Sequence, residues 1–221
     1  MKKKILHILK SSSYSGAESV VITIISSMQD EYDFYYASLD GSIGKLLKSK
    51  KINYIPIKKF TFFEIKKIIA DVKPDLIHAH DFTASIICSI ASGSIPVISH
   101  LHNNVPWLKT YHPKSFLYLL SSKFYKQILL VSPSILNEYV FGSFIKNKCT
   151  VVYNPIDTKR IVSESKIDLN KNSKHYDILF IGRLSNQKDP LRFIQIIDNI
   201  VKRKSNVKVA MLAEKKYVIE S

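Results

Sequence analysis

Short β-type runs and amphipathic helical stretches alternate along most of this chain, and that rhythm leaves few folds open. Residues 4–9 start the series, and Ser11-Ser12-Ser13-Tyr14-Ser15-Gly16 then forms a loop of small residues. Ala17, Val20, Val21, Ile24, Ile25 and Met28 follow at helical spacing, with Ser15 and Glu18 in the S-x-x-E arrangement of a capping box. Strand-like stretches at 33–38, 53–57, 75–79, 96–100, 127–131 and 149–153 alternate with helical ones at 42–50, 61–72, 82–91, 114–125 and 134–144. Strand then helix, repeated this often, predicts an α/β fold with a parallel sheet covered on both faces.

Asn154-Pro155-Ile156-Asp157 ends the series with turn chemistry, and a polar stretch follows. A second β run at 177–181 then leads to a helix with Asp189 as N-cap and Pro190 at its first position. Leu191, Ile194, Ile197, Ile200 and Val201 mark its expected buried stripe, and 207–212 reads as a further strand. The expected organisation is a first domain over 1–157, a linker over 158–176 and the start of a second domain over 177–221.

The net charge of +15 favours anionic partners: nucleic acid, an anionic membrane face or phosphorylated substrates. The excess is spread evenly, with 19 basic against 10 acidic residues in 1–154 and 14 against 8 in 155–221, so no concentrated motif argues for nucleic acid. Arginine occurs only at 160, 183, 192 and 203, which gives weight to one placed at a strand end. Cys88 and Cys149 sit in apolar settings without metal-like spacing, as in a reduced, cytosolic protein. The apolar run after Lys2-Lys3-Lys4 is too short for a signal peptide, and Gly93 and Pro96 break the uncharged stretch 82–99.

Phe180-Ile181-Gly182-Arg183-Leu184-Ser185-Asn186-Gln187-Lys188-Asp189-Pro190 carries the strongest chemistry. A strand ends at a glycine, an arginine and a lysine follow, and a helix opens, so cations and free helix-start N–H groups can converge on a diphosphate. Leu9 to Ala17 likewise suits anion contact, although G-x-G-x-x-G is absent and Ser15 to Glu18 reads equally well as a plain cap. Gly41-Ser42-Ile43-Gly44-Lys45 is too short for a P-loop.

His78, His80, His100 and His102 fall at the ends of two successive strands, each pair at i, i+2 and therefore on one face. No H-E-x-x-H accompanies them, so one functional histidine is expected rather than a metal; His102, followed by Asn103-Asn104, is the choice. The segment 107–126 interleaves Trp107, Tyr111, Phe116, Tyr118, Phe124 and Tyr125 with Lys109, Lys114, Lys123 and Lys126. It reads either as a helix resting on an anionic membrane or as one covering the sheet with solvated lysines. No D-x-D or G-x-S-x-G occurs.

In order and spacing, Ser15-Gly16-Ala17-Glu18, Asp75-Leu76-Ile77-His78-Ala79-His80, His100-Leu101-His102-Asn103, Val152-Tyr153-Asn154-Pro155-Ile156-Asp157 and Phe180-Ile181-Gly182-Arg183-Leu184 with Lys188 resemble the GT-B glycosyltransferases often called family 4. The resemblance runs from residue 1 to about 212. It implies two Rossmann-like lobes, the first binding a lipid-linked or saccharide acceptor and the second a nucleotide-diphosphate sugar, with retention of configuration. Gly16 beside Ser15 matches the first-lobe loop, and His102 the histidine near the transferred sugar, with Asn103 and Asn154 as further substrate-side residues. Gly182, Arg183 and Lys188 match the site of the leaving diphosphate, which they would stabilise electrostatically. Neither metal nor cofactor is expected. Two departures stand out: Ser15 replaces a glycine, and the E-x7-E segment has no counterpart, since Glu214 and Glu220 have the wrong spacing. The second lobe is thus expected to be truncated and activity impaired, unless a separate chain supplies the donor half.

Overall fold

The computed structural model describes residues 1–166, 175–186 and 188–213. Glu214, Glu220 and part of the expected linker lie outside them. The chain divides into a unit over Met1–Thr158 and another over Lys159–Ser221.

The first unit runs β1 (Lys3–Leu9), α1 (Gly16–Met28), β2 (Tyr32–Leu39), α2 (Ile43–Ser49), β3 (Asn53–Ile57), α3 (Phe62–Val72), β4 (Leu76–His80), α4 (Phe82–Ala91), β5 (Val97–Leu101), α5 (Pro113–Ser121), β6 (Tyr125–Leu130), α6 (Pro133–Glu138), α7 (Gly142–Ile145) and β7 (Cys149–Val151). The seven strands are all parallel, in the order β3-β2-β1-β4-β5-β6-β7. Each face carries its own core. Leu6, Ile8, Ala37, Ile77, Ala79 and Val97 pack with α3 to α7 on one side, and Leu9, Phe34 and Tyr36 with α1 and α2 on the other. Period-2 alternation in β1 and β2 is therefore apolar on both phases, as a doubly covered sheet requires.

Several expected boundaries shift for local reasons. The helix expected over 114–125 ends at Ser121; a 3-10 turn, Ser122–Phe124, follows, and Tyr125 already belongs to β6. Lys148 holds that turn, its Nζ donating to the carbonyls of Ser122, Lys123 and Tyr125 at 2.8 to 3.0 Å. The helix expected over 134–144 splits into α6 and α7 because Tyr139 is extended and the Gly142 amide turns back to the Tyr139 carbonyl at 2.7 Å. The strand expected to reach 153 stops at Val151. Among the described residues, no helix is long and apolar enough to cross a membrane.

α8 (Thr158–Ser165) starts at the last residue of the first unit, and the second unit continues with β8 (Ile178–Ile181), α9 (Pro190–Arg203) and β9 (Val209–Leu212). α8 occupies part of the stretch expected to be a plain linker. β8 and β9 pair in parallel, and Asp189 caps α9 by accepting the Arg192 N–H at 3.2 Å. The stripe expected on α9 is not buried. Phe193, Ile197 and Ile200 are only partly covered, while Leu191, Ile194 and Val201 are exposed, because a two-stranded sheet offers one helix little surface.

Candidate functional site

Strand order reverses between β1 and β4, and crevices outside the carboxyl ends at such a switch are where open parallel sheets place ligands. His7 pairs in register with His78, Leu9 with His80, and His80 with His100. Registered residues share a face, so His7, His78, His80 and His100 all project from the face bearing Leu9, and His102 continues the alternation just past β5. His7 escaped the sequence reading: one histidine in an apolar run has no local signal, and its partner lies 73 positions away.

Three of these rings form a row. His7 Nδ1 lies 2.9 Å from His80 Nε2, and His80 Nδ1 lies 2.9 Å from His102 Nε2. Ring centroids are 5.2 Å apart at both steps, with interplanar angles of 29° and 22°, the arrangement of rings meeting nitrogen to nitrogen and not face to face. His78 lies against His80 and His100 against His102, each with centroids 4.2 Å apart. His102 alone among the five is partly exposed.

Burial makes all five poor bases. Desolvation, reinforced by His100, lowers the pKa of His7 and of His102 to about 3. Desolvation lowers His100 to about 4, and desolvation followed by neighbouring histidines holds His78 and His80 well below 6.5. The cluster is neutral at pH 7. By distance, His7, His78 and His80 could hold a metal ion, as could His80, His100 and His102, with ligand nitrogens within 4.8 Å of one another. Both groups need His80, whose two nitrogens already face His7 and His102, so neither offers three uncommitted lone pairs.

Asp81 follows His80 directly and also escaped the sequence reading. Its backbone, at φ 80 and ψ 164, occupies a region suited to glycine. Its carboxylate accepts the Ala84 N–H at 2.8 Å, capping α4, and the Lys10 N–H at 3.3 Å, tying down the end of β1. Burial raises its pKa against the pull of those hydrogen bonds.

The loop after β1 differs from the expected capping box. Ser15 accepts nothing from the helix; its hydroxyl donates to the carboxylate of the buried Glu18. The first N–H groups of α1 are thus left without a side-chain cap. A Cβ on Gly16 would meet nothing within 4 Å, whereas one on Gly41 would stand 2.5 Å from the Ser12 carbonyl oxygen. Gly41 lets the loops after β1 and β2 close together, and Gly16 leaves open space. Asn103 and Asn154 are exposed; Asn104 is held by Ser134 and Glu138.

In the second unit, Gly182 donates its N–H to the Leu212 carbonyl at 3.1 Å, and a Cβ there would lie 3.6 Å from Lys188 Cγ. Arg183 and Lys188 are exposed, with no ion-pair or hydrogen-bond partner for either side chain among the described residues. Ser185, between them, has a buried hydroxyl without a partner among the described residues. The Lys188 and Asp189 N–H groups both return to the Ser185 carbonyl, which sets the turn into α9.

Residues 14–160 match the family described as Glycosyltransferase Family 4. The chain is 24% identical over 93% of its length to the capsular polysaccharide biosynthesis glycosyltransferase CapH of Staphylococcus aureus, of which it covers 60%. It is also 24% identical, over 90% of its length and 58% of the relative, to the GalNAc-α-(1→4)-GalNAc-α-(1→3)-diNAcBac-PP-undecaprenol α-1,4-N-acetyl-D-galactosaminyltransferase of Campylobacter jejuni. The chain thus spans about 60% of the length of these relatives. Among solved structures, Anabaena HepE in complex with UDP and glucose superposes with a TM-score of 0.69 at 16% identity, covering 97% of this chain and 70% of that one. The architecture is accordingly of the GT-B type, with the seven-stranded unit as a Rossmann-like lobe. With the family match covering most of the first unit, this chain belongs to glycosyltransferase family 4.

Proposed function

We propose that this chain serves sugar transfer from a nucleotide-diphosphate sugar to a lipid-linked or saccharide acceptor, with retention, in cell-surface polysaccharide synthesis. The first domain, 1–157, takes the acceptor at the switch-point crevice, where Ser15, Gly16, His102, Asn103 and Asn154 are the substrate-side residues. The second, 177–221, contributes Gly182, Arg183 and Lys188 to the leaving diphosphate. The observation that carries this reading is the turn after β8, where a glycine is followed by two exposed cations with no partner among the described residues, just ahead of a 14-residue helix. Two positive charges and helix-start N–H groups act where negative charge grows as the bond to the sugar breaks.

Donor transfer requires more protein than the described second unit provides. Leu179, Ile181 and Leu212 leave one face of the β8–β9 pair bare, and Leu191 and Ile194 add apolar surface on α9. The rest of a donor lobe, in the same polypeptide or a separate one, would cover such a surface; the alternative reading is an acceptor-side half working with a separate donor-domain chain. The test is a transfer assay with radiolabelled UDP- and GDP-sugars on this chain. Little or no turnover is expected, and vigorous transfer would contradict the requirement for a complete donor lobe.

A peripheral membrane location, on the cytoplasmic side, is favoured by one observation. α5 turns Ser115, Tyr118 and Ser121 inward and exposes Phe116, Leu117 and Leu120, the reverse of a helix that merely covers a sheet. Tyr111, Phe124 and Phe144 extend the apolar surface, with Lys114 and Lys123 exposed nearby in sequence. Co-sedimentation with anionic but not neutral vesicles is expected, and its absence would remove this reading.

A further inference from the structure

Proton counting along the histidine row leads to a conclusion about His102 that deepens, and rests on, its placement in the ligand crevice. Three neutral imidazoles carry three N–H groups on six nitrogens. The two hydrogen bonds of the row use two of those N–H groups and two bare nitrogens. One N–H and one bare nitrogen remain, one at each end: His7 Nε2 and His102 Nδ1. Both are buried atoms without a partner among the described residues.

The contacts also couple the tautomers. If His7 donates through Nδ1, His80 must accept at Nε2 and donate through Nδ1, and His102 must accept at Nε2 and hold its proton on Nδ1. Reversal gives all three rings the Nε2–H form. Intermediate arrangements set two N–H groups or two lone pairs against each other at 2.9 Å, so the row has two allowed states. The all-Nε2–H state buries an unpaired N–H on His7, which is fully buried beside Phe34. With His7 at 0% exposure, that end of the row is closed to any incoming acceptor, so an N–H there would stay unsatisfied. The all-Nδ1–H state leaves only a bare nitrogen there and moves the unpaired N–H to His102 Nδ1, itself a buried atom but in the one partly exposed ring, next to exposed Asn103 and Asn104, where an incoming ligand can supply the acceptor.

We propose that His7 and His80 are positioning residues whose hydrogen bonds fix His102 as an Nδ1–H donor, ready for an oxygen acceptor brought by a sugar or phosphate ligand. His102 then works by donating a hydrogen bond and does not act as a general base at Nδ1. His78 contributes by stacking on His80 and His100 by packing at a tilt against His102, which keeps both rings in line.

The experiment is long-range proton–nitrogen NMR on the full chain labelled with nitrogen-15 histidine, at neutral pH and without donor or acceptor. The expected result is a protonated, pyrrole-type Nδ1 and a bare, pyridine-type Nε2 for each of His7, His80 and His102. Replacing His7 by Phe should release the tautomer of His102, two hydrogen bonds away, with the amide spectrum otherwise retained. A wild-type row that is all Nε2–H, or a mixture, overturns the proposal even if the variant fails to fold. An unchanged His102 tautomer in folded H7F also overturns it. Because no sugar is involved, the outcome is independent of whether the chain transfers one.

Discussion

Asp81 Oδ2 accepts the Lys10 N–H at 3.3 Å, so one carboxylate joins the last turn of β1 to the first turn of α4 across the point where the sheet reverses. It does so from a backbone conformation that normally costs a non-glycine residue about 1–3 kcal/mol. Asp81→Ala keeps that strain and loses the cap, which should destabilise the fold by about 1–2 kcal/mol in urea unfolding. Asp81→Gly loses the same cap but relaxes the backbone, so it should cost clearly less than the alanine variant. Equal losses would show that the backbone stores no strain.

Acid should unfold this protein early. The five clustered histidines have folded pKa values below the unfolded value near 6.5, with about 3 for His7 and His102 and about 4 for His100. Between those limits the unfolded chain binds more protons, so stability is fully present above pH 6.5 and is lost as pH falls. At both ends of the row the contribution of His100 lowers the pKa in the same direction as burial. Each ring should withdraw on the order of 1 kcal/mol per pH unit below 6.5. Unfolding midpoints at pH 7.0 and 5.5 check this, and a flat profile would mean that the rings are not held neutral.

Gly41 is the tightest point of the loop pair beneath the candidate site. A methyl group there would stand 2.5 Å from the Ser12 carbonyl oxygen and 2.7 Å from Ser12 Cβ. Gly41→Ala should cost about 1–3 kcal/mol, typical of an overpacked position, and displace the loop ahead of α1. Gly16→Ala has no such neighbour and should leave folding nearly unchanged.

Ser15 and Glu18 give a further contrast. Glu18 is buried at 2% exposure and accepts a hydrogen bond from the Ser15 hydroxyl, so Ser15→Ala should cost about 1–3 kcal/mol by withdrawing a partner from a buried carboxylate. Ser15→Thr retains the hydroxyl and should restore most of that loss. Equal losses for both variants would show that the hydroxyl is not what matters.

Much of the scaffold was legible because its signals are local and periodic. Phe62–Val72 and Phe82–Ala91 announce themselves by apolar runs between turn residues; the caps that Thr61 and Asp81 supply were seen only in the structure. The i, i+2 histidines point to one face for the same reason. What stayed hidden depends on distant packing. The role of His7 needs the register of β1 against β4, and the inward face of α5 needs Ser99, whose hydroxyl lies 2.8 Å from both Ser85 and Tyr118 hydroxyls. Ser15 and Glu18 satisfy a local capping pattern, but burial of the glutamate redirects the serine. The stripe on α9 failed differently, because its periodicity is genuine while the sheet it would cover has two strands.

The central claim is that Arg183 and Lys188 receive a nucleoside diphosphate, and titration calorimetry tests it most directly. UDP, GDP and ADP would be titrated into the wild-type chain and into R183A, K188A and the double variant. The account predicts that at least one nucleotide binds, with affinity falling about tenfold or more, about 1.4 kcal/mol, for each single change. Binding that is unaltered in the double variant, or no binding of any of the three at millimolar concentration, would contradict it.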